Sequence, residues 1–385
     1  MTRKGVWDLQ QVRDKYLQEL WENPNQLMVW GSNSYGGLGL NQPTPTKVSS
    51  PTQIPGTTWA DINPNGKSTL YFEGTNYITK TDGTLWVWGY NARGQLGNNE
   101  GPGGPGGAYS SPIQIGSDTT WAYVTGGNQN AMAIKTDGTG WAWGNNYNGK
   151  LGLNNRTYYS SPVQIPGTNW SKLSASKYQG YGVKTDGTLW AWGYNNEGQL
   201  GLNNTTNYSS PTQIPGTNWV DVDGDTQALA SKTDGTLWTW GNNTDGILGL
   251  NNQTKYSSPV QIPGTNWSNV VYANIYNSMA MKTDGTLWSW GVNSYGQLGQ
   301  NDRTYQSSPV QIPGTDWSNK GSVTLSSTFA IKTDGTLWAW GSHGDGKLGL
   351  NDTVHYSSPV QVPGNWTSIG GGIYHIYATK KLLTD

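Results

Sequence analysis

A Trp-Gly pair returns seven times along the chain, at Trp30, Trp88, Trp143, Trp192, Trp240, Trp290 and Trp340, with intervals of 58, 55, 49, 48, 50 and 50 residues. Repetition at a period near fifty constrains the fold more than any other feature. Each copy must be one supersecondary unit that buries its apolar surface against its neighbours. A full unit reads SSPVQIPGTNWSNVVYANIYNSMAMKTDGTLWSWGVNSYGQLGQN. Its SPVQIP stretch alternates as a strand and PGT turns. The residues after the next Trp and the SMAMK stretch supply two more strands, TDGT is an Asp-Gly hairpin, and TLWSW is the last strand. The segment GVNSYGQLG is a loop whose Gly and Asn residues suit positive φ. Four short antiparallel strands per unit make one blade of a propeller, and the chain is expected to be all-β with seven blades.

The two Trp of each Trp-x-Trp-Gly phrase lie two residues apart and share a face of their strand, while Leu and the intervening residue take the other face. A sheet with two apolar faces needs a neighbour on each side, which a ring of seven sheets supplies. Of the 22 Trp, only Trp7 and Trp21 fall outside repeat positions. Full burial of one indole removes about 150–250 Å² from water, or about 4–6 kcal/mol gross. The first copy starts at QLMVWG with Met28 in a Trp position, and the last stops at IYATKKLLTD where TDGTLW is due. Pairing of residues 377–381 with 27–30 therefore completes the seventh blade from both ends and closes the ring, leaving no open edge.

The phrase WGxNxxGQLGL, followed by SSPxQIPG and AxKTDGTL, resembles the regulator of chromosome condensation repeat family over residues 27–385. Kelch repeats have a similar period, but their Gly-Gly doublet does not recur here. The resemblance implies a seven-bladed propeller closed by shared termini, and members that act by binding. One branch exchanges nucleotide on a small GTPase and docks chromatin, another inhibits β-lactamases, and many are interaction modules. The exchange-factor branch fits poorly, because the chain shows no basic tail and lacks most of the family's His residues. Residues 1–26 differ in kind. Val6, Leu9, Val12, Tyr16 and Leu20 have near-helical spacing, so a short amphipathic helical arm is expected. Its opening GVWDLQ is similar to the start of structural proteins of tailed bacteriophages, which makes Val6, Trp7, Leu9, Val12, Tyr16 and Leu20 candidates for docking to a virion; the other reading is a helix packed across one propeller face.

Chemistry is sparse. The chain has no Cys, so disulfides, thiolate metal sites and Cys nucleophiles are excluded. The formal net charge of −1, with scattered Lys, argues against nucleic acid and acidic membrane surfaces as partners. No 18-residue apolar run exists, so no membrane insertion is expected, and the charged N-terminus does not read as an export signal. Asp82, Asp137, Asp186, Asp234, Asp284 and Asp334 recur in TDGT, where local turn hydrogen bonds explain them better than acid/base work. The Trp pairs read as blade core rather than a sugar-stacking platform. DVDGDTQ, 221–227, has a faint calcium-loop look without the distal Glu. His343, His355 and His375 lack ligand spacing, and neither a Gly-x-Ser-x-Gly elbow nor a phosphate loop with Lys occurs. GPGGPGG, 101–107, reads as an extended loop insertion. No enzyme, metal or cofactor is expected.

Variation among the seven copies carries the remaining signal. The positions five and six residues before each repeat Lys diverge most: Gly74-Thr75, Gln129-Asn130, Tyr178-Gln179, Thr226-Gln227, Tyr276-Asn277, Ser326-Ser327 and Tyr374-His375. The resemblance implies that they lead into an inner strand near one mouth of the central channel, where Tyr, Gln, Asn and Ser suit protein or glycan. A second variable stretch before each SSP is expected at the outer rim. The reading drawn is a non-enzymatic binding propeller of a phage particle, contacting other virion proteins or a host-surface protein or glycan. The alternative is a soluble inhibitor or regulator that caps a partner enzyme with one face.

Overall fold

The computed structural model describes residues 25–381 except 43, 45, 57, 63–68, 71–73 and 102–106. The helical arm expected over Val6–Leu20 lies outside the described residues, as does most of the GPGGPGG insertion. The described chain is all-β, built as seven sheets that are antiparallel apart from one short parallel pair, Thr69–Leu70 with Trp366–Gly372. Blade 3 shows the pattern: Trp170–Ala175 lies innermost, followed outward by Gln179–Lys184, Leu189–Gly193 and Tyr208–Ile214. Blades 2, 4, 5 and 6 repeat it from Trp121, Trp219, Trp267 and Trp317. In blade 1 the described strands are Asn76–Thr79, Leu85–Tyr90 and Ala108–Gln114, with a bridge between Trp59 and Lys80. Blade 7 takes Trp366–Gly372 and His375–Lys380 from one end of the chain and Gln26–Ser32 and Lys47–Gln53 from the other. There Leu27 pairs with Thr379 and Met28 with Ala378, the pairing that the truncated repeats require. Successive innermost strands touch one another around the whole circle, with Thr69–Leu70 standing in blade 1 beside Trp366–Gly372.

Two expectations are corrected. The SSPxQIP strand does not begin a blade. It pairs with the Leu-Trp-x-Trp strand before it, Leu189 with Ile214 and Trp190 with Gln213, and so forms the outermost strand of the preceding blade. A register shift between Ala191 and Gly193 lets the intervening loop fold back. Gly193 sits at φ 104°, and a Cβ there would lie 2.5 Å from the Tyr178 carbonyl oxygen, so only Gly permits this bulge.

The indoles also divide into two sets. Fourteen of the twenty repeat Trp are buried: seven precede Gly, six open the innermost strands, and Trp59 holds the matching place in blade 1 through its bridge to Lys80. The indole of each Trp before Gly donates to a carbonyl in the loop of the previous blade; Trp192 Nε1 reaches Lys150 O at 2.9 Å and Trp340 Nε1 reaches Gln297 O at 3.0 Å. The first Trp of each phrase, such as Trp190, is only half-buried. It meets the innermost-strand Trp170 edge-on with centroids 6.4 Å apart, and Lys184 Nζ stands 5.0 and 4.7 Å from the two rings. The same Lys-over-two-indoles clamp recurs in blades 1, 2, 4, 5 and 6. The repeat Lys thus explains why an indole at the rim remains partly wet, since the ammonium above it must keep its own hydration.

Candidate functional site

The chain path gives the ring two unlike faces. One carries the TDGT and PGTN turns and the Lys-Trp clamps. The other, here the mouth, carries the turn between innermost and second strand of each blade together with the loop after each Trp-Gly. In each TDGT turn the Asp carboxylate accepts from the backbone and hydroxyl of the Thr two residues on, as Asp186 does from Thr188 at 2.9 and 2.7 Å. These bonds hold the carboxylates below their ordinary range, and they account for all six Asp as turn formers.

The variable pairs stand at the mouth, in the turns that lead into the second strand from the centre. Their two members part company there. Gln129, Tyr178, Thr226, Tyr276, Ser326 and Tyr374 are half-buried or exposed. Asn130, Gln179, Gln227, Asn277, Ser327 and His375 are fully buried, so they cannot touch a partner as the sequence reading supposed. The cause is the period of two: the residue after each turn opens the second strand with its side chain inward. Several buried members stitch neighbouring turns together. Gln227 Nε2 donates to Asn274 O in the next blade, Asn274 Nδ2 donates to Asn277 Oδ1 at 2.9 Å and to Thr324 O at 2.7 Å, and His375 Nε2 meets Asn76 Oδ1 at 2.7 Å across the join of blades 7 and 1. Burial pushes His375 down to about 4, so its ring is neutral at pH 7.

The other two His residues each accept from a backbone N–H, His355 Nδ1 from His343 N at 2.8 Å. In six loops the Asn after Trp-Gly-x accepts from a Leu N–H five residues on, as Asn195 does from Leu200 at 2.8 Å. In blade 6 His343 takes that place, its Nδ1 accepting from Leu348 N at 2.8 Å. DVDGDTQ is an innermost strand, Trp219–Gly224, running into its turn, and its carboxylates serve neighbouring blades. Asp221 accepts from Val271 N at 3.2 Å, Asp223 from Ser174 Oγ at 2.9 Å and Ala273 N at 3.0 Å, and Asp225 from Lys177 N at 3.2 Å. Among the described residues no group of three His, Cys, Asp or Glu side chains forms a metal cage.

The loops after Trp-Gly add residues that the sequence reading passed over. Tyr147, Tyr35 and Tyr295 stand 67%, 48% and 44% exposed on this face. Tyr178 and Tyr194 meet with ring centroids 5.6 Å apart and Tyr35 and Tyr90 with theirs 4.7 Å apart, each pair tilted, at 50° and 52°. Between blades 2 and 3 lies a cup of about 200 Å³ lined by Gln129, Tyr147, Lys150, Tyr158, Lys177 and Tyr178 among others. Tyr158 comes from the second variable stretch, which thus reaches the mouth and not only the outer rim. The Lys150 ammonium is buried at the cup floor and donates to Asn128 O at 2.5 Å and Lys177 O at 3.0 Å. Desolvation pulls it down to about 7, against the opposing attraction of Asp225. Lys150 occupies the position that Gln95, Gln199 and Gln297 fill in other copies, but Gly37, Ile247 and Lys347 stand there as well, so the sequence does not single it out. Chemically the mouth offers phenol rings, amides and a buried lysine brought down to about 7, on turns that are hydrogen-bonded across blade joins at Gln227, Asn274 and His375.

Comparison with known proteins agrees with this geometry. Residues 20–327 match the family described as RCC1-like domain, and residues 334–379 match the regulator of chromosome condensation (RCC1) repeat. The ultraviolet-B receptor UVR8 of Arabidopsis thaliana is 27% identical over 139 residues, covering 36% of this chain and 30% of the receptor. The chain therefore matches under a third of that relative's length. Human WBSCR16 superposes with a TM-score of 0.79 at 19% identity, over 94% of this chain and 100% of its own. Yeast RCC1 (Prp20), in its structure with Kap60, gives 0.78 at 18% identity over 94% and 90% of the two chains. Prp20p of Saccharomyces cerevisiae, in a structure described with its binding to Gsp1p and histones, gives 0.77 at 17% identity over 95% and 93%. At such identities these structures share the fold.

Proposed function

The chain belongs to the family of RCC1-like domains, and from that premise we propose that it is a protein-interaction propeller that regulates a protein partner by gripping it with the mouth. The observation that carries the reading is the set of half-buried and exposed tyrosines, Tyr35, Tyr147, Tyr178, Tyr276, Tyr295 and Tyr374, that turns and loops bring to one face, with Gln227, Asn274 and His375 bonded across blade joins beneath it. Tyr presents a large amphipathic surface at low entropic cost, and a preorganised rim reduces the ordering that binding demands. The yeast relative Prp20 is described with Kap60, Gsp1p and histones as partners, which supports a protein rather than a small molecule here. Among the described residues no helix is long and apolar enough to cross a membrane. The phage-particle reading rests on the resemblance of residues 5–10, which lie outside the described residues, and none of the relatives named above is a phage protein. The regulator reading therefore takes precedence.

The test is affinity capture with the immobilised chain. Wild type is expected to retain one stoichiometric protein, the Tyr147→Ala/Tyr178→Ala double variant to lose it, and Trp190→Ala, on the opposite face, to keep it. Equal recovery by the wild type and the mouth variant would remove the assignment.

A further inference from the structure

The loop after each Trp-Gly comes in two forms, and blade 2 mixes them. Gln95, Gln199 and Gln297 close their loops through Oε1, which accepts from the backbone N–H two residues back, that of Arg93, Glu197 and Tyr295, at 2.7, 2.8 and 2.9 Å. Where Gly37, Ile247 and Lys347 replace that Gln, the residue two places back turns left-handed instead: Tyr35, Asp245 and Asp345 have φ of 58°, 63° and 67°. Blade 2 has lost the Gln and kept the Gln-type loop. Lys150 stands in its place, yet Asn148 stays out of the left-handed region. An ammonium only donates, so the Asn148 N–H has no acceptor among the described residues.

Asn148 and Lys150 border the same cup of about 200 Å³, with Tyr147, Tyr158, Lys177 and Tyr178 around them. Lys150 Nζ donates to Asn128 O and Lys177 O, which accounts for two of its three N–H groups. Among the described residues no carboxylate forms an ion pair with it, and Asp225 attracts it from beyond ion-pair distance. By comparison with blades 1, 3 and 5 the cup calls for an acceptor oxygen, and beside a buried ammonium a charged acceptor gains most.

We propose that this cup receives the carboxylate of an acidic side chain, Asp or Glu, of the protein partner, which takes the role of the Gln oxygen at the Asn148 N–H and sets its charge against the Lys150 ammonium. The room is sufficient, since a cavity of about 150 Å³ already admits benzene, and the rings of Tyr147 and Tyr178 border the space for the methylene stem. Lys177 adds a second positive charge at the wall. The inference rests on the partner reading of the mouth and gives the chemistry of one contact.

The experiment uses the full chain with isotope-labelled asparagine at pH 6, where the Lys150 amine is charged, and follows the Asn148 amide by NMR. The probes are N-acetylglutamate α-amide, its glutamine counterpart and acetate. The glutamate probe is expected to move the Asn148 amide proton downfield along a saturating curve, and the glutamine probe at the same concentration to leave it in place. Acetate, which lacks the stem, is expected to bind about fourfold more weakly. Lys150→Gln restores the internal acceptor of blades 1, 3 and 5, so its Asn148 amide is expected downfield before any probe is added and its affinity for the glutamate probe lower by about tenfold or more. The proposal is overturned if the wild-type amide does not respond to the glutamate probe, if Lys150→Gln binds that probe as tightly, or if the glutamine probe or acetate binds equally well. Failure to capture any stoichiometric protein would remove the partner reading without touching these shifts, whereas a cup silent to the glutamate probe beside a captured partner would remove this inference alone.

Discussion

Replacing Lys150 with Gln tests whether the mouth holds a buried lysine under electrostatic tension. Burial lowers this amine from the ordinary 10.5 to about 7, with Asp225 raising it and Lys177 lowering it further. That displacement corresponds to about 4–5 kcal/mol between charged and neutral forms. Because the folded-state value is depressed for a base, the unfolded chain binds more protons between pH 7 and 10.5, and stability rises across that window. Gln is the natural substitute: Gln95, Gln199 and Gln297 occupy the same loop position, and their Oε1 atoms accept from Arg93, Glu197 and Tyr295 N at 2.7, 2.8 and 2.9 Å. The penalty specific to Lys150 is about 5 kcal/mol at pH 6 and falls to about 2 kcal/mol at pH 9. Urea unfolding of wild type and Lys150→Gln at pH 6, 7, 8 and 9 reads it directly. The gap in unfolding free energy is expected to move in favour of wild type by about 2–3 kcal/mol from pH 6 to pH 9. A gap that stays constant over this range would refute the reasoning, whatever its absolute size.

Other consequences follow from the two classes of indole and from the shared blade. Trp192→Ala removes a fully buried ring and its bond to Lys150 O, so a loss of about 3–5 kcal/mol is expected. Trp190→Ala, half-buried under Lys184, is expected to cost clearly less in the same urea assay, and equal losses would contradict the division into core and clamp. A circular permutant that joins residues 381 and 25 by a short turn and opens blade 3 between Asp186 and Gly187 is expected to keep the native circular dichroism spectrum and a cooperative melt. Gln26 and Lys380 are already ladder partners, and failure of this permutant to fold would count against closure of the ring by its two ends.

Much of the fold was legible because the chain writes the same solution repeatedly. The Trp-Gly interval set the blade count, and Met28 together with the missing TDGT in the last copy located the shared blade. Blade phase was hidden, since a strand such as Tyr208–Ile214 reads alike whether it pairs with the strand before or after it. Only the bulge at Gly193 decides that. The site was half legible. Divergence at Tyr178-Gln179 pointed to the right turns, but two adjacent residues at a strand start face opposite ways, so Gln179 went to the interior and Tyr178 to the mouth. Tyr147 and Lys150 escaped notice because their loop looked like a φ-driven connector. Their exposure and burial depend on the fold of that loop against the next blade, and no local pattern encodes it.

The most direct test of the central claim is site-specific photocrosslinking on the bound partner, with benzoylphenylalanine placed at Tyr178 in one protein and at Trp338 in another. The partner is expected to crosslink from position 178 and not from position 338. Crosslinking from 338 alone would put the interaction on the clamp face and contradict the account.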